Sequence, residues 1–271
     1  MAKRAAKDEK IHVSDDLRDF LLEKAATYER PGFISDDPIA IPHRFADKAD
    51  IELAGFIAAT LAWGQRKTIL ASAGAFVDRL DGAPRDFMEH ATPDDIRTAA
   101  KGFVHRTFQP RDAEVFLSAL QALVKAFGGL ESAFIPADGE AHAAACLTAF
   151  HNRFFEAAAQ CGYEAGRTRK HVATPARGSA AKRLNMYLRW MVRSNRRGVD
   201  FGLWHQIAPS QLMVPLDVHT GNVGRKLGLF GRKQNDWKAV ELLTLALRQI
   251  DPEDPVRMDF ALFGLGAIEQ F

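Results

Sequence analysis

Apolar residues recur at intervals of three and four positions through most of this chain, and long runs of alternating apolar and polar residues are absent. This spacing collects side chains on one face of an α-helix, which turns about once every 3.6 residues. Residues 47–61 form one such segment and residues 66–80 a second, separated by Trp63-Gly64-Gln65. The pattern predicts an all-α fold in which these two helices form a hairpin.

The same spacing predicts further helices over residues 84–90, 93–101, 111–127 and 141–161. Ser14 has the short polar side chain of a helix N-cap and precedes the apolar positions of a first helix. Prolines at positions 31, 38 and 42 make residues 31–42 a connecting loop, because proline cannot continue a helix.

The chain has 271 residues, of which 47% are hydrophobic and 26% charged, so it can bury a substantial core. We expect one compact unit over residues 1–271 made of two helical lobes, with the site inside residues 165–230. The two cysteines, Cys146 and Cys161, exclude a disulfide framework and a four-cysteine iron-sulfur cluster. Residues 1–10 are charged and no run of about 18 apolar residues occurs. We therefore expect a cytoplasmic protein without a membrane partner.

Residues 165–199 carry ten lysines and arginines and no acidic residue. These basic residues are Arg167, Arg169, Lys170, Arg177, Lys182, Arg183, Arg189, Arg193, Arg196 and Arg197. Surface charge normally mixes both signs, so this segment predicts a site for a polyanion. A solvated basic helix is the alternative.

Within this segment, Leu184, Tyr187, Leu188, Met191 and Val192 have the spacing of a buried helical stripe. Lys182, Arg189 and Arg193 share another face, which we expect to be a cationic surface. The helix is expected to begin at Gly178 and Ser179, where free backbone N–H groups and the positive end of the helix dipole suit a phosphate.

Two further segments carry polar residues of the types that contact nucleic acids. Residues 63–67 combine an aromatic ring with Gln65, Arg66 and Lys67, which can stack on bases or hold phosphates. The alternative is that these are ordinary surface side chains of a turn between two helices. Asn222 and Arg225 lie in a helix that opens directly after Asp217 and His219, so they could also reach a DNA backbone.

An acidic residue and a histidine follow an apolar segment at residues 214–219, Val-Pro-Leu-Asp-Val-His. Asp217 directly follows the apolar residues, and His219 lies two positions after it. This combination indicates acid-base chemistry by Asp217. Two alternatives stay open. Asp217 has the side chain and position of an N-cap worth roughly 1 kcal/mol, and Asp217 with His219 could bind a metal, although no third ligand follows at helical spacing.

Residues 214–229, VPLDVHTGNVGRKLGL, resemble the segment of helix-hairpin-helix DNA glycosylases in which an aspartate precedes a short helix. The early helix ending near Gln65 and the closing apolar segment at residues 259–264 resemble further parts of that superfamily. A more specific resemblance is to an uncharacterised bacterial family, DUF2400. It is clearest in residues 179–193 and in the Asp-Val-His-Thr-Gly-Asn segment, and it covers nearly the whole chain. The glycosylase hairpin has Gly-x-Gly before its lysine, whereas Gly178 stands alone, four residues upstream of Lys182.

The glycosylase resemblance implies a fold of two helical lobes and a DNA-repair activity, base excision from double-stranded DNA with a damaged base. It implies that Lys182 is a nucleophile that forms a Schiff base with the sugar, as in members with AP-lyase activity, and that Asp217 assists. It places His219 against a phosphate next to the lesion. It places Gln65 either in the gap that the extruded nucleotide leaves or against the opposite strand. An oxidised purine such as 8-oxoguanine is the implied substrate.

The set of residues expected to bind nucleic acid comprises Gln65, Arg66, Lys67, Gly178, Ser179, Arg183, Arg189, His219, Asn222 and Arg225. No cofactor, metal or obligate protein partner is expected. A helical nucleic-acid-binding protein without catalysis is the main alternative to the glycosylase, and it predicts binding without turnover. A metal-dependent phosphohydrolase using Asp217 and His219 is a third class, and it predicts that a chelator abolishes activity.

Overall fold

A computed structural model describes residues 12–271, and the charged stretch at residues 1–10 lies outside the described residues. The described part is all-α, as predicted, and its only β-type pairings are two isolated bridges. Its helices are α1 (Asp15–Tyr28), α2 (Lys48–Leu61), α3 (Arg66–Asp78), α4 (Pro84–His90), α5 (Pro93–Ala100), α6 (Pro110–Phe127), α7 (Leu130–Phe134), α8 (Ala143–Gln160), α9 (Lys182–Val192), α10 (Val218–Lys226), α11 (Trp237–Ile250) and α12 (Met258–Ala267). Short 3-10 helices occupy much of the connecting chain, including the predicted loop at residues 31–42.

Local sequence sets the helix ends. The Ser14 side chain accepts a hydrogen bond from the Leu17 amide and begins α1, as its N-cap type predicts. Thr92 and Asp95 form a capping box around the first turn of α5. Gly128 ends α6 in the left-handed conformation, with φ 73°, which glycine adopts without steric cost.

The buried apolar side chains form one cluster that extends from Leu21 to Leu265. Its centre is aromatic: the Phe56 ring of α2 lies 5.2 Å from Phe150 and 5.6 Å from Tyr187, measured between ring centroids. The predicted stripe at residues 184, 187, 188, 191 and 192 of α9 is buried, which confirms that face of the helix. Helix α9 is therefore fixed to the core, and its orientation determines where its first residue lies.

Helix α9 packs against α2 and α8, while α12 packs against α1 and α10. The irregular segment between α9 and α10 is anchored by Trp204, whose indole Nε1 donates to Glu52 Oε1 at 2.8 Å. These contacts bring the beginnings of α9 and α10 toward α12 and the α2–α3 turn. The arrangement of two lobes as in helix-hairpin-helix glycosylases stays a prediction.

Among residues 12–271, no helix combines the length and the apolar character that crossing a bilayer requires.

Candidate active site

A cleft of about 780 Å³ opens where the beginnings of α9 and α10 face α12 and the α2–α3 turn. Six residues singled out in the sequence line it: Arg66, Lys182, Arg183, Arg189, Asp217 and His219. Aromatic side chains of Phe33, Trp63 and Phe263 contribute apolar walls. The cleft therefore brings together the two residues predicted to be catalytic, Lys182 and Asp217.

Lys182 is the first residue of α9 and is partly exposed. The residue before it, Ala181, has φ 44°, in the left-handed region that non-glycine residues adopt only when surrounding structure imposes it. Ala181 is itself buried, and its amide donates to Ser179 Oγ at 3.2 Å. The turn before the helix thus holds Lys182 at the edge of the cleft through a tightly specified backbone.

The prediction that α9 begins at Gly178 and Ser179 is wrong, because the helix begins at Lys182. The Gly178 carbonyl accepts a hydrogen bond from the Trp237 amide at 3.0 Å, and Ser179 forms an isolated bridge with Asp236. Both residues lie in a turn against the start of α11. They are outside the lining of the cleft and do not supply free helical N–H groups to it.

Asp217 is the N-cap of α10: its Oδ1 accepts a hydrogen bond from the Thr220 amide at 2.9 Å. Its backbone carbonyl accepts from Asn235 Nδ2 at 3.0 Å. The capping alternative raised by the sequence is therefore confirmed, but the same carboxylate lines the cleft. Capping fixes the direction of the side chain and leaves the second oxygen for chemistry.

Two further carboxylates in the cleft, Asp37 and Asp259, were missed by sequence reasoning. Asp37 is 9% exposed, and its Oδ1 accepts from the Ile39 amide at 3.0 Å. Burial raises the pKa of Asp37, while the charges of Arg189, Lys182 and other cations oppose the rise. Burial raises the pKa of Asp259 to about 6. Three carboxyl groups thus line the same cleft as Lys182, and burial makes two of them, Asp37 and Asp259, bind protons more readily than a solvated aspartate.

A sequence signal for both residues exists. Asp259 is an isolated acid in the otherwise apolar helix α12, and Asp37 directly precedes Pro38. A carboxylate inside an apolar run needs a buried partner, since an unpaired buried charge is costly.

The prediction that Lys182, Arg189 and Arg193 form a cationic surface on α9 is wrong. Arg189 and Arg193 are 3% and 4% exposed, and both are held in a buried ion-pair network. Arg189 Nη1 donates to Asp259 Oδ2 at 2.7 Å, and Arg193 Nη2 donates to Glu29 Oε1 at 2.6 Å. The acidic partners, which also include Asp200 and Asp254, come from outside residues 165–199. Arg189 reaches the cleft but is already paired there.

The α2–α3 turn supplies the opposite side of the cleft. Arg66 begins α3, and its guanidinium carbon lies 5.5 Å from the Phe263 ring centroid. Arg183 lies over Trp63, 4.7 Å from the ring centroid. Arg183 also donates to the Thr60 and Lys170 carbonyls, and burial lowers the pKa of its guanidinium to about 10. Arg183 therefore positions the Trp63 wall as well as carrying charge.

Of the remaining residues predicted to bind nucleic acid, His219 lines the cleft and four others do not. His219 is exposed at the rim, with its ring centroid 6.3 Å from that of Phe263. Gln65, Lys67 and Asn222 are exposed and lie outside the lining of the cleft. Arg225 also lies outside it and donates to the Arg232 carbonyl at 2.7 Å and to Asn235. These four residues are available only to a ligand that extends beyond the cleft.

Within residues 12–271, no three histidine, cysteine, aspartate or glutamate side chains come together in a way that could hold a metal ion. Both cysteines are free thiols, Cys146 buried and Cys161 exposed.

The fold and the cleft define an all-α protein whose site combines a lysine, three carboxyl groups and aromatic walls. A family model described as a protein of unknown function (DUF2400) matches residues 37–268, so the chain belongs to the DUF2400 family. No curated protein and no solved structure matches the chain.

Proposed function

We propose that this protein is a DNA base-excision glycosylase with AP-lyase activity, acting on an oxidised purine such as 8-oxoguanine. The observation that carries the proposal is that Lys182 and Asp217 line one cleft together with aromatic side chains. A volume of about 780 Å³ falls within the range of sites that enclose small ligands, roughly 300–1,000 Å³. It has room for a nucleotide turned out of a duplex.

Lys182 Nζ is the proposed nucleophile. In its neutral form it attacks C1′ of the extruded nucleotide, and the new N–C1′ bond forms as the glycosidic bond breaks. The base leaves with the bonding electron pair and takes up a proton. Opening of the sugar ring then gives a protonated Schiff base between Lys182 and C1′.

Asp217 is the proposed assisting group. An ionised carboxylate accepts a proton from the lysine ammonium or stabilises the positive charge that develops on the sugar. Its hydrogen bond to the Thr220 amide keeps it oriented during the reaction. Asp259, with a pKa near 6, is a second group able to exchange a proton near neutral pH.

The walls of the cleft suit an extruded base. Trp63 and Phe263 line the cleft with aromatic side chains, and stacking of a base on an aromatic ring is worth about 1–3 kcal/mol. Arg66 and His219 lie at the same opening and carry groups that bind phosphate oxygens.

Borohydride trapping tests the proposal, because borohydride reduces a Schiff base to a stable covalent adduct. With a duplex containing 8-oxoguanine or an abasic site, the wild-type protein is expected to form an adduct that Lys182→Gln loses. Lys125→Gln is the matched control, since Lys125 is an exposed lysine that lies outside the cleft and outside the set of residues expected to bind nucleic acid. An adduct of unchanged yield in Lys182→Gln would contradict the assignment of Lys182.

The same assay separates the alternatives. The glycosylase keeps its activity in a chelator, whereas a phosphohydrolase that uses a metal at Asp217 and His219 loses it. A non-catalytic binder retains duplex affinity but gives no adduct and no base release with any lesion in a panel.

A further inference from the structure

A second cavity, of about 620 Å³, lies beside the turn that precedes α9. Its lining includes Arg167, Arg169, Lys170, Arg177, His151 and Ser179, and among the described residues it contains no acid. Four of the ten basic residues of residues 165–199 therefore surround one cavity. The remaining six are distributed between the cleft, the buried ion pairs and the far end of α9.

The charges in this second cavity are poorly neutralised by acidic residues. Arg169 stacks over Phe155 at 4.9 Å from the ring centroid. Arg167 lies 3.6 Å from Asp112 Oδ2, while Arg169, Lys170 and Arg177 are exposed and form no ion pair with any residue of 12–271. Like charges gathered at a concave surface repel one another and create a positive potential that favours an anion.

His151 adds a polar group at the base of the second cavity. It is 5% exposed, and its Nδ1 lies 2.6 Å from the Val172 carbonyl. A carbonyl only accepts, so Nδ1 carries the proton and Nε2 is the ring nitrogen left for the cavity. Burial lowers the pKa of His151, and the charges of Arg169 and Arg177 lower it further. An anion bound here would offset the repulsion from Arg169 and Arg177 and favour the protonated ring, whose Nε2–H then donates to an anion oxygen.

The second cavity is separate from the cleft but lies close to it. Arg183, which lines the cleft, donates to the backbone carbonyl of Lys170 at 3.2 Å. Ser179, which lines the second cavity, precedes Lys182 by three positions, a separation of at most about 11 Å between Cα atoms. Successive nucleotides of a strand rise by about 3.4 Å. On this scale, the second cavity begins no more than about three nucleotides from a nucleotide placed at Lys182.

We propose that the second cavity binds backbone phosphates of the same DNA strand whose damaged nucleotide enters the cleft. This inference rests on the proposed function and names the part of the DNA that this surface holds. The contacts to Arg169, Lys170 and Arg177 are to phosphate oxygens, so they position the duplex without reading its sequence.

The test is the salt dependence of binding to a short, undamaged, fluorescent duplex. The variant Lys170→Gln/Arg177→Gln removes two exposed charges whose side chains make no hydrogen bond in the described part of the chain. We expect it to bind the duplex several-fold more weakly and to lower the slope of log Kd against log salt by roughly 1.8, because each phosphate contact contributes about 0.9. Its thermal melting is expected to match the wild type.

The matched control is Arg196→Gln/Arg197→Gln, which makes the same charge change in the same basic segment. These two exposed residues follow the end of α9. Because α9 has 11 residues, its end lies about 16 Å along the helix axis from its start, where the second cavity lies. The control is expected to keep the wild-type slope. An unchanged slope in Lys170→Gln/Arg177→Gln, or an equal fall in both variants, would overturn the inference.

Lys182→Gln separates this inference from the proposed function. It is expected to lose the borohydride adduct and keep a slope close to that of the wild type. If no lesion gives an adduct but the slope of Lys170→Gln/Arg177→Gln falls, the phosphate site stands and the glycosylase fails. If the adduct forms and the slope does not change, the phosphate site fails alone.

Discussion

Arg189 on α9 donates from Nη1 to Asp259 Oδ2 on α12 at 2.7 Å, and this buried ion pair lines the same cleft as Lys182. The other carboxylate oxygen of Asp259 accepts from Thr220 Oγ1 on α10 at 3.3 Å. One carboxyl group therefore connects the three helices that carry Lys182, Asp217 and the closing wall. The relative position of the candidate nucleophile and its assisting acid depends on this connection.

The same network makes Arg193 a critical position for stability. Arg193→Met would remove the cation that Glu29, Asp200 and Asp254 share. It would leave Arg257 beside Glu29 and Arg189 beside Asp200, and removing one member of a buried ion pair costs about 3–5 kcal/mol. We expect the free energy of unfolding in urea to fall by that amount. Arg197→Met, at an exposed arginine of the same segment, should change it by less than about 0.5 kcal/mol. Equal effects of the two exchanges would show that the buried network does not stabilise the fold.

The contact between α1 and α12 leaves no space at Gly264. A Cβ there would lie 2.2 Å from the Tyr28 ring, so Gly264→Ala forces the ring or a helix to move. We expect a loss of about 1–3 kcal/mol, as for other overpacked sites, measured as a lower thermal midpoint. Gly231→Ala is the control, because a Cβ at Gly231 has nothing within 4 Å. A midpoint in Gly264→Ala equal to that of the control would contradict the packing.

The buried side chain of His171 makes the free energy of unfolding depend on pH. Burial lowers the pKa of His171 to about 4, against about 6.5 in an unfolded chain. Between these values the unfolded state binds more protons, so the free energy of unfolding rises with pH. The stability contributed by neutral His171 is complete above about pH 6.5 and is lost as the pH falls toward 4.

The exchange His171→Phe isolates this contribution, since the ring lies among Phe108, Phe116 and Trp63. We expect urea unfolding of His171→Phe to lose less stability than the wild type between neutral pH and about pH 5. Parallel pH profiles for the two proteins would show that His171 does not titrate in this range.

Asp217 has two roles that a pair of exchanges separates. Asp217→Asn keeps an effective N-cap, because asparagine caps as well as aspartate, but it removes the carboxylate. We expect the rate of adduct formation to fall by at least about a hundredfold, as for loss of an acid-base group, with no change in melting. Asp236→Asn is the matched control, because Asp236 caps α11 with nearly the same backbone angles. A normal rate in Asp217→Asn would leave Asp217 as a cap alone.

The sequence contained enough to predict the helices with strong apolar spacing, such as α2, α6 and the buried stripe of α9. It also identified Lys182 and Asp217, which the structure brings to one cleft. The fate of Arg189 and Arg193 could not be predicted, because their acidic partners lie up to 164 positions away in the chain. An acid-free segment is not a free cationic surface when acids from other elements pack against it.

Asp37 and Asp259 were missed for the same reason. The role of each depends on the cations that the fold brings near it, mainly Arg189. The start of α9 was misplaced because Gly178 and Ser179 have the composition of a helix start, whereas hydrogen bonding to the α11 region holds them in a turn. Tertiary pairing, not local preference, set these positions.

In the proposed reaction, the amine of Lys182 bonds to the sugar of a damaged nucleotide. Mass spectrometry of the borohydride-reduced adduct, after proteolysis and nuclease digestion, identifies the modified residue directly. We expect the residual sugar to lie on the peptide that contains Lys182. A modification on another lysine or on the N-terminal amine would contradict it.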